Sequence, residues 1–198
     1  MTSRTHDLAA FTALGLIVFG AQNSALLPHN ITLGTGLFAI AANLIGGIAP
    51  DIDQPTAPFW RNLPIGHLFG KVIDPLLLGG HRFISHSLVG LVLFGTGWHY
   101  LLQFLKPSLP TINMDIVWWA FIIGFTSHLI MDTITREGVP WLLPIPVKFG
   151  IPPFKSLRIV TGGLVENFIV FPALLLFNGY LYYTHYGKLL EILHHHIK

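Results

Sequence analysis

An all-α bundle of about five membrane-spanning helices is the fold class this sequence predicts, and three observations predict it. Hydrophobic residues make up 52% of the 198-residue chain and charged residues only 10%, against roughly 25% charged in a soluble domain. Mean hydropathy is +0.62, which leaves too few polar groups to cover a water-facing surface. The apolar residues gather in runs close to the length of about 20 that a helix needs to cross a bilayer. The length suits one domain, and residues 1–198 read as a single integral-membrane unit.

Five runs are expected to span: residues 8–27, 32–49, 87–105, 116–133 and 163–183. The first follows Arg4 and is interrupted by "QNS"; it has the look of a secretory leader but no A-x-A-like cleavage site, so it is expected to be retained. The second is interrupted by glycines. The third, "SLVGLVLFGTGWHYLLQFL", and the fourth, "IVWWAFIIGFTSHLIMDT", are the most continuous. Between the fourth and fifth lies "GVPWLLPIPVKFGIPPF", apolar but with five prolines. Proline removes a backbone donor and breaks helices, so this stretch is expected to be an interfacial or re-entrant loop.

Sidedness follows from the basic residues. With the N-terminus in the cytoplasm, Arg4, Arg61, Lys71, Arg82, Arg136, Lys148, Lys155 and Arg158 lie inside, and only Lys106, Lys188 and Lys198 outside. That bias predicts N-in, C-out in the inner (cell) membrane. Residues 50–86 and 134–162 then form the two cytoplasmic loops.

Composition also excludes functions. A formal charge of +2 with no Lys/Arg cluster does not suit nucleic-acid binding. There is no cysteine, so disulfides and thiolate metal sites are ruled out. Eleven histidines stand beside nine acidic residues, and any metal site must be built from imidazole and carboxylate.

On this topology the polar residues converge. His6 precedes the first span, Asp51 and Asp53 in "APDID" follow the second, and His81 and His86 in "GHRFISHS" precede the third. His128 and Asp132 lie near the end of the fourth, and Glu166 in "GGLVEN" opens the fifth. All eight fall at cytoplasmic helix ends, where a bundle with alternating directions brings them to one level. His128 and Asp132 are four apart and share one helix face. An aspartate at the centre of a span costs about 2.5–3.5 kcal/mol on insertion scales, less towards an end, so ionisable residues there mark function. Asp51 and Asp53, two apart in a turn set by Pro50, can bind two ions, or bind one and orient a histidine. Four histidines and four carboxylates suit zinc, with manganese or iron as alternatives, and supply ligands for more than one ion.

Other polar residues have plainer readings. His29, His67, His99 and His185 read as interfacial or hydrogen-bonded, and His194 to His196 as an adventitious run on the opposite face. Arg61 and Arg82 fit the positive-inside bias, and Arg82 also suits a clamp on an anionic substrate. Ser85 and Ser87 are candidate nucleophiles, but no elbow or oxyanion loop accompanies them, and water activated by a metal is the simpler nucleophile.

Five motifs in order, "RTH", "PDID", "GHRFISHS", "GFTSHLIMDTITREGVPWLLP" and "GGLVEN", resemble the LexA-regulated, membrane-bound metal-dependent hydrolases of the YdjM-like family. The resemblance runs from about residue 4 to residue 170. The family pattern around the central histidines is HRG-x-TH-S; here Phe83 stands for the glycine and Ser85 for the threonine, while both histidines remain. The family is distantly similar to zinc-dependent phospholipase C and single-strand nucleases, helical enzymes whose His, Asp and Glu side chains hold metals that hydrolyse phosphate esters. The resemblance therefore implies a hydrolase with one to three divalent ions, and a phospholipid or other phosphoester as substrate. It carries over His81, His86, His128 and Asp132 first, then Asp51, Asp53, His6 and Glu166. Asp51 or Glu166, whichever is not a ligand, is the expected general base, with Arg82 holding the anion. The alternatives are a metal-ion transporter and a non-catalytic scaffold stabilised by metal. The bilayer is the expected partner, and the oligomeric state is left open.

Overall fold

The computed structural model describes residues 1–20, 31–53, 84–145, 147–187 and 190. Among these residues the architecture is all-helical: α1 (Ser3–Gly20), α2 (Leu33–Ile48), α3 (Leu88–Leu105), α4 (Met114–Thr133) and α5 (Phe171–Thr184). A 3₁₀ turn, Ala49–Asp53, continues α2, and a π-helical turn, Glu166–Val170, leads into α5. Three segments are long and apolar enough to cross a membrane: Leu33–Ile52, Leu88–Ser108 and Met114–Thr133. Described helices α1 and α5 fall short of that mark. α1 also begins earlier than the apolar run suggests, so His6 lies inside its first turns rather than ahead of it.

The sequence starts three helices with side-chain caps. Thr32 accepts from Thr35 N at 3.1 Å, Ser87 accepts from Gly90 N at 3.1 Å, and Asn113 accepts from the amides of Asp115 and Ile116. Each cap satisfies amide donors that a helix start otherwise leaves unpaired.

α2 packs most extensively on α4, with α1 against both. Glycine makes that seam. A Cβ at Gly46 would stand 2.2 Å from the Phe121 carbonyl oxygen, and one at Gly124 would stand 2.0 Å from that of Asn43. The two backbones therefore touch, which is how small residues hold helices together where lipid removes the hydrophobic drive. Asn43 Nδ2 donates to the Ala120 carbonyl at 3.1 Å across the same seam. α3 joins from the side, where Trp118 Nε1 donates to the Gly95 carbonyl at 2.8 Å and Trp98 stacks on Phe121. α5 leans on α1, with Asn178 Nδ2 donating to Thr12 Oγ1 at 2.6 Å.

The proline-rich stretch forms no α-helix among its described residues. It is held by an antiparallel bridge between Val139 and Phe149 and by Arg158, which donates to the carbonyls of Pro152 and Pro153. Ile145, Ile151, Phe154 and Leu157 stay exposed.

Candidate metal centre

The tight seam ends in a cluster of ionisable side chains. His128 lies on α4 one turn beyond Gly124, and its Nδ1 is 2.6 Å from the Gly47 carbonyl oxygen of α2. A carbonyl only accepts, so Nδ1 carries the proton and Nε2 presents its lone pair inward. The close approach of α2 and α4 thus sets the tautomer. His86 is placed by the turn before α3. A Cβ at Gly90 would stand 2.2 Å from the Ile84 carbonyl oxygen, so glycine lets that turn fold onto the helix. Ser85 Oγ lies 3.0 Å from His86 Nδ1, which leaves His86 Nε2 facing His128 Nε2 at 3.3 Å.

Two carboxylates complete the ring. Asp51 Oδ1 is 3.4 Å from His86 Nε2 and 3.7 Å from His128 Nε2, and Asp132 Oδ2 is 3.5 and 3.8 Å from the same atoms. Ligands about 2.1 Å from one tetrahedral ion stand about 3.4 Å apart. The five separations, from 3.3 to 3.8 Å, match that spacing pair by pair, and the donors of His86, His128 and Asp132 come together as one set able to share an ion. The side chains of His86, His128 and Asp132 are fully buried, while Asp51 is 20% exposed and is the most accessible of the four.

His6 extends the cluster. Its ring stacks on His128 with centroids 3.6 Å apart, and its Nε2 is 3.3 Å from Asp132 Oδ1. That contact lacks hydrogen-bond geometry, and neither ring nitrogen of His6 makes a hydrogen bond among the described residues. A buried polar group left so costs about 1–3 kcal/mol and calls for a reason; a metal ligand supplies one. Asp132 faces two ways, with Oδ2 toward His86 and His128 and Oδ1 toward His6 and the amino nitrogen of Met1. Two overlapping trios could each hold an ion: His86, His128 and Asp132, and His6, Asp51 and His128.

Of the eight ligands expected from sequence, the structure brings five together: His6, Asp51, His86, His128 and Asp132. Glu166 is placed elsewhere. Its Oε1 accepts from Thr2 N, Thr2 Oγ1 and Thr5 Oγ1, and its Oε2 accepts from Gly162 N, all at 2.6–2.7 Å. It ties the start of α1, which carries His6, to the start of α5. His81, Arg82, Arg61 and Phe83 lie outside the described residues, as do His29, His67 and His194 to His196; Asp53 closes the 3₁₀ turn, but its side chain is also outside them. Ser87 is spent as the α3 cap. His185 bonds at 2.8 Å to the Leu181 carbonyl, and His99 lies edge-on to Trp118. Of the partners that orient the cluster, the Gly47 carbonyl was not singled out from sequence, and Ser85 was read as a candidate nucleophile rather than as a partner of His86. Only the position of Ser85 next to His86 hinted at one of them.

The sequence profile described as YdjM inner membrane protein matches residues 1–188. The chain belongs to the YdjM inner membrane protein family. Among curated YdjM-family relatives, the inner membrane protein YdjM of Escherichia coli (strain K12) is 28% identical over 174 residues, which are 85% of this chain and 77% of that protein. The protein of the same name from Shigella flexneri gives the same figures. YvsG of Bacillus subtilis (strain 168) is 26% identical over 151 residues, 75% of this chain and 81% of that one. No solved structure matches this YdjM-family chain. Family and apolar helices together make it a membrane protein with buried His/Asp groups that could hold a metal ion.

Proposed function

We propose that this YdjM-family protein is a membrane-bound, metal-dependent hydrolase that cleaves phosphoesters at the cytoplasmic interface. The observation that carries the reading is the buried donor set of His86, His128 and Asp132, with Asp51 Oδ1 beside both histidines, at separations of 3.3–3.8 Å. A divalent ion held there, zinc first and manganese or iron as alternatives, supplies Lewis acidity and lowers the pKa of water from 15.7 to about 7.

The chain's own residues do the rest. His128 and His86 offer Nε2, fixed by the Gly47 carbonyl and the Ser85 hydroxyl; such orienting partners typically matter about 10–100-fold. Asp132 joins His6 to the other two histidines. With the ion on His86, His128 and Asp132, Asp51, the most accessible of the four, is the carboxylate left to take a proton from attacking water and pass it to the leaving oxygen. Arg82, next to His81 in sequence, suits the anionic group of the substrate. Glu166 holds the start of α1 in place and so steadies His6. The cytoplasmic facing rests on the distribution of basic residues.

The test is hydrolysis of bis(p-nitrophenyl) phosphate by the full-length protein in detergent. Turnover is expected to vanish with a chelator and to return with zinc or manganese. His128→Ala and Asp132→Asn should each lose more than the about 100-fold that marks loss of a residue which merely orients a ligand. A protein that holds metal yet cleaves no phosphodiester, phosphomonoester or phospholipid would be the scaffold instead.

A further inference from the structure

An apolar groove of about 460 Å³ runs between α2 and α3, lined on the α2 side by Ile45, Ile48, Ala49 and Ile52. Leu93, Gly97 and Leu101 of α3 form the other wall. Its volume falls within the range of about 300–1,000 Å³ common for small-molecule sites. Two features set it apart from a chance crease. It ends close to the candidate metal centre, because Ala49 and Ile52, which line it, flank Asp51 in the same 3₁₀ turn, although none of the cluster's own side chains lines it. It also opens sideways, since Ile45, Leu93 and Leu101 remain 40%, 56% and 43% exposed.

Both walls belong to segments long and apolar enough to span the bilayer, so the medium at the opening is hydrocarbon. From Leu93 to Leu101 the α3 wall covers about 12 Å at 1.5 Å per residue, and it begins about 9 Å along the helix from the Ser87 cap. A ligand lying along it has its far end among aliphatic side chains and its near end directed toward the turn that carries Asp51. The groove suits a hydrocarbon chain along its whole length, and the cluster beyond its near end suits an anion drawn to a bound cation.

Resting on the hydrolase reading above, we infer that the groove seats one acyl chain of a membrane phospholipid whose phosphoester lies at the Asp51–His86–His128–Asp132 cluster. The substrate class is then an acyl lipid entering sideways from the bilayer. The step is hydrolysis: the oxygen of water bonds to phosphorus as the bond to the leaving oxygen breaks, and the displaced proton passes through Asp51 to that oxygen.

Gly97 gives a clean probe. It lines the groove, and a Cβ built there meets nothing within 4 Å, so a side chain has room to start there and Gly97→Phe is directed into the groove. Leu93→Trp blocks it from the metal-side end at an exposed position. Full-length protein is reconstituted in phosphatidylglycerol/phosphatidylethanolamine vesicles carrying a trace of phosphatidylglycerol with a diazirine on its acyl chain. After photolysis the labelled peptides are mapped.

Label is expected to concentrate at the groove residues above the level at Tyr100 and Phe104, which are 70% and 79% exposed on the same span and are not among the groove's lining residues. Either variant should reduce groove label to that level. Each should also reduce turnover of long-chain phosphatidylglycerol, while metal content and turnover of bis(p-nitrophenyl) phosphate stay unchanged. Groove label no higher than at Tyr100 and Phe104 in wild type overturns the inference, since a second copy or another part of the chain then covers the groove. Persistence of groove label in both variants overturns it as well. Groove label that obeys the variants in a protein without metal supports the lipid site and removes the hydrolase reading alone.

Discussion

The two sides of α2 meet their neighbours in opposite ways. Toward α4 the backbones touch, and even a methyl group at Gly46 or Gly124 has no room. Toward α3 there is a groove, and Gly97 faces open space. Half of the most apolar window of α4 is buried but only 17% of that of α3. The difference teaches where a polar site can sit in a membrane protein. Ligands to a metal must be held rigidly and away from lipid, so His128 and Asp51 stand at the end of the closest seam, with a backbone carbonyl fixing the imidazole. The loose side is free to take hydrocarbon.

The same substitution should break one side and spare the other. Gly124→Ala is expected to cost about 3 kcal/mol or more, the upper end for overpacking, because backbone rather than a flexible side chain must move. Gly97→Ala should instead gain up to about 1 kcal/mol from helix propensity. Thermal unfolding followed by fluorescence-detected size exclusion measures both, and equal shifts would contradict the contrast.

A middle-sized effect concerns pH. Burial pushes the His86 imidazole down, but the Asp132 and Asp51 carboxylates pull harder and hold it above its ordinary value of 6.5. In metal-free protein this contributes stability below pH 6.5 that fades as pH rises through the raised value. A metal must displace that proton, so zinc affinity should strengthen with rising pH by up to about tenfold per unit. Competition titrations across about pH 5.5–8 read the slope, and a flat profile would remove His86 from the ligand set.

The smallest effect lies away from the seam. Thr12→Val removes the hydroxyl that accepts from Asn178 and should cost about 0.6 kcal/mol, at most about 1.7, with metal content unchanged. A loss of metal in that variant would mean that the α1–α5 contact, not the α2–α4 seam, positions the site.

The helices and the cluster were legible in the sequence for a physical reason: lipid tolerates so few ionisable residues that His86, Asp51, His128 and Asp132 stand out against apolar runs. The spacing of His128 and Asp132 gave a shared face directly. What orients them was not legible. Gly46 read only as one of the glycines interrupting the second apolar run, and Gly124 was not singled out, although the two set the distance between helices. The acceptor for His128 is a main-chain carbonyl, to which residue type gives no clue. Glu166 carried the same signal as the other carboxylates, and only its neighbours Thr2 and Thr5, distant in sequence, reveal that it anchors α1.

The central claim is that the cluster holds metal, and metal content by inductively coupled plasma mass spectrometry tests it most directly. Wild-type protein purified without added chelator should carry at least one ion per chain, zinc foremost. His128→Ala and Asp132→Ala should each fall below about a tenth of that while remaining monodisperse. Equal content in all three proteins, whether near zero or stoichiometric, would contradict it.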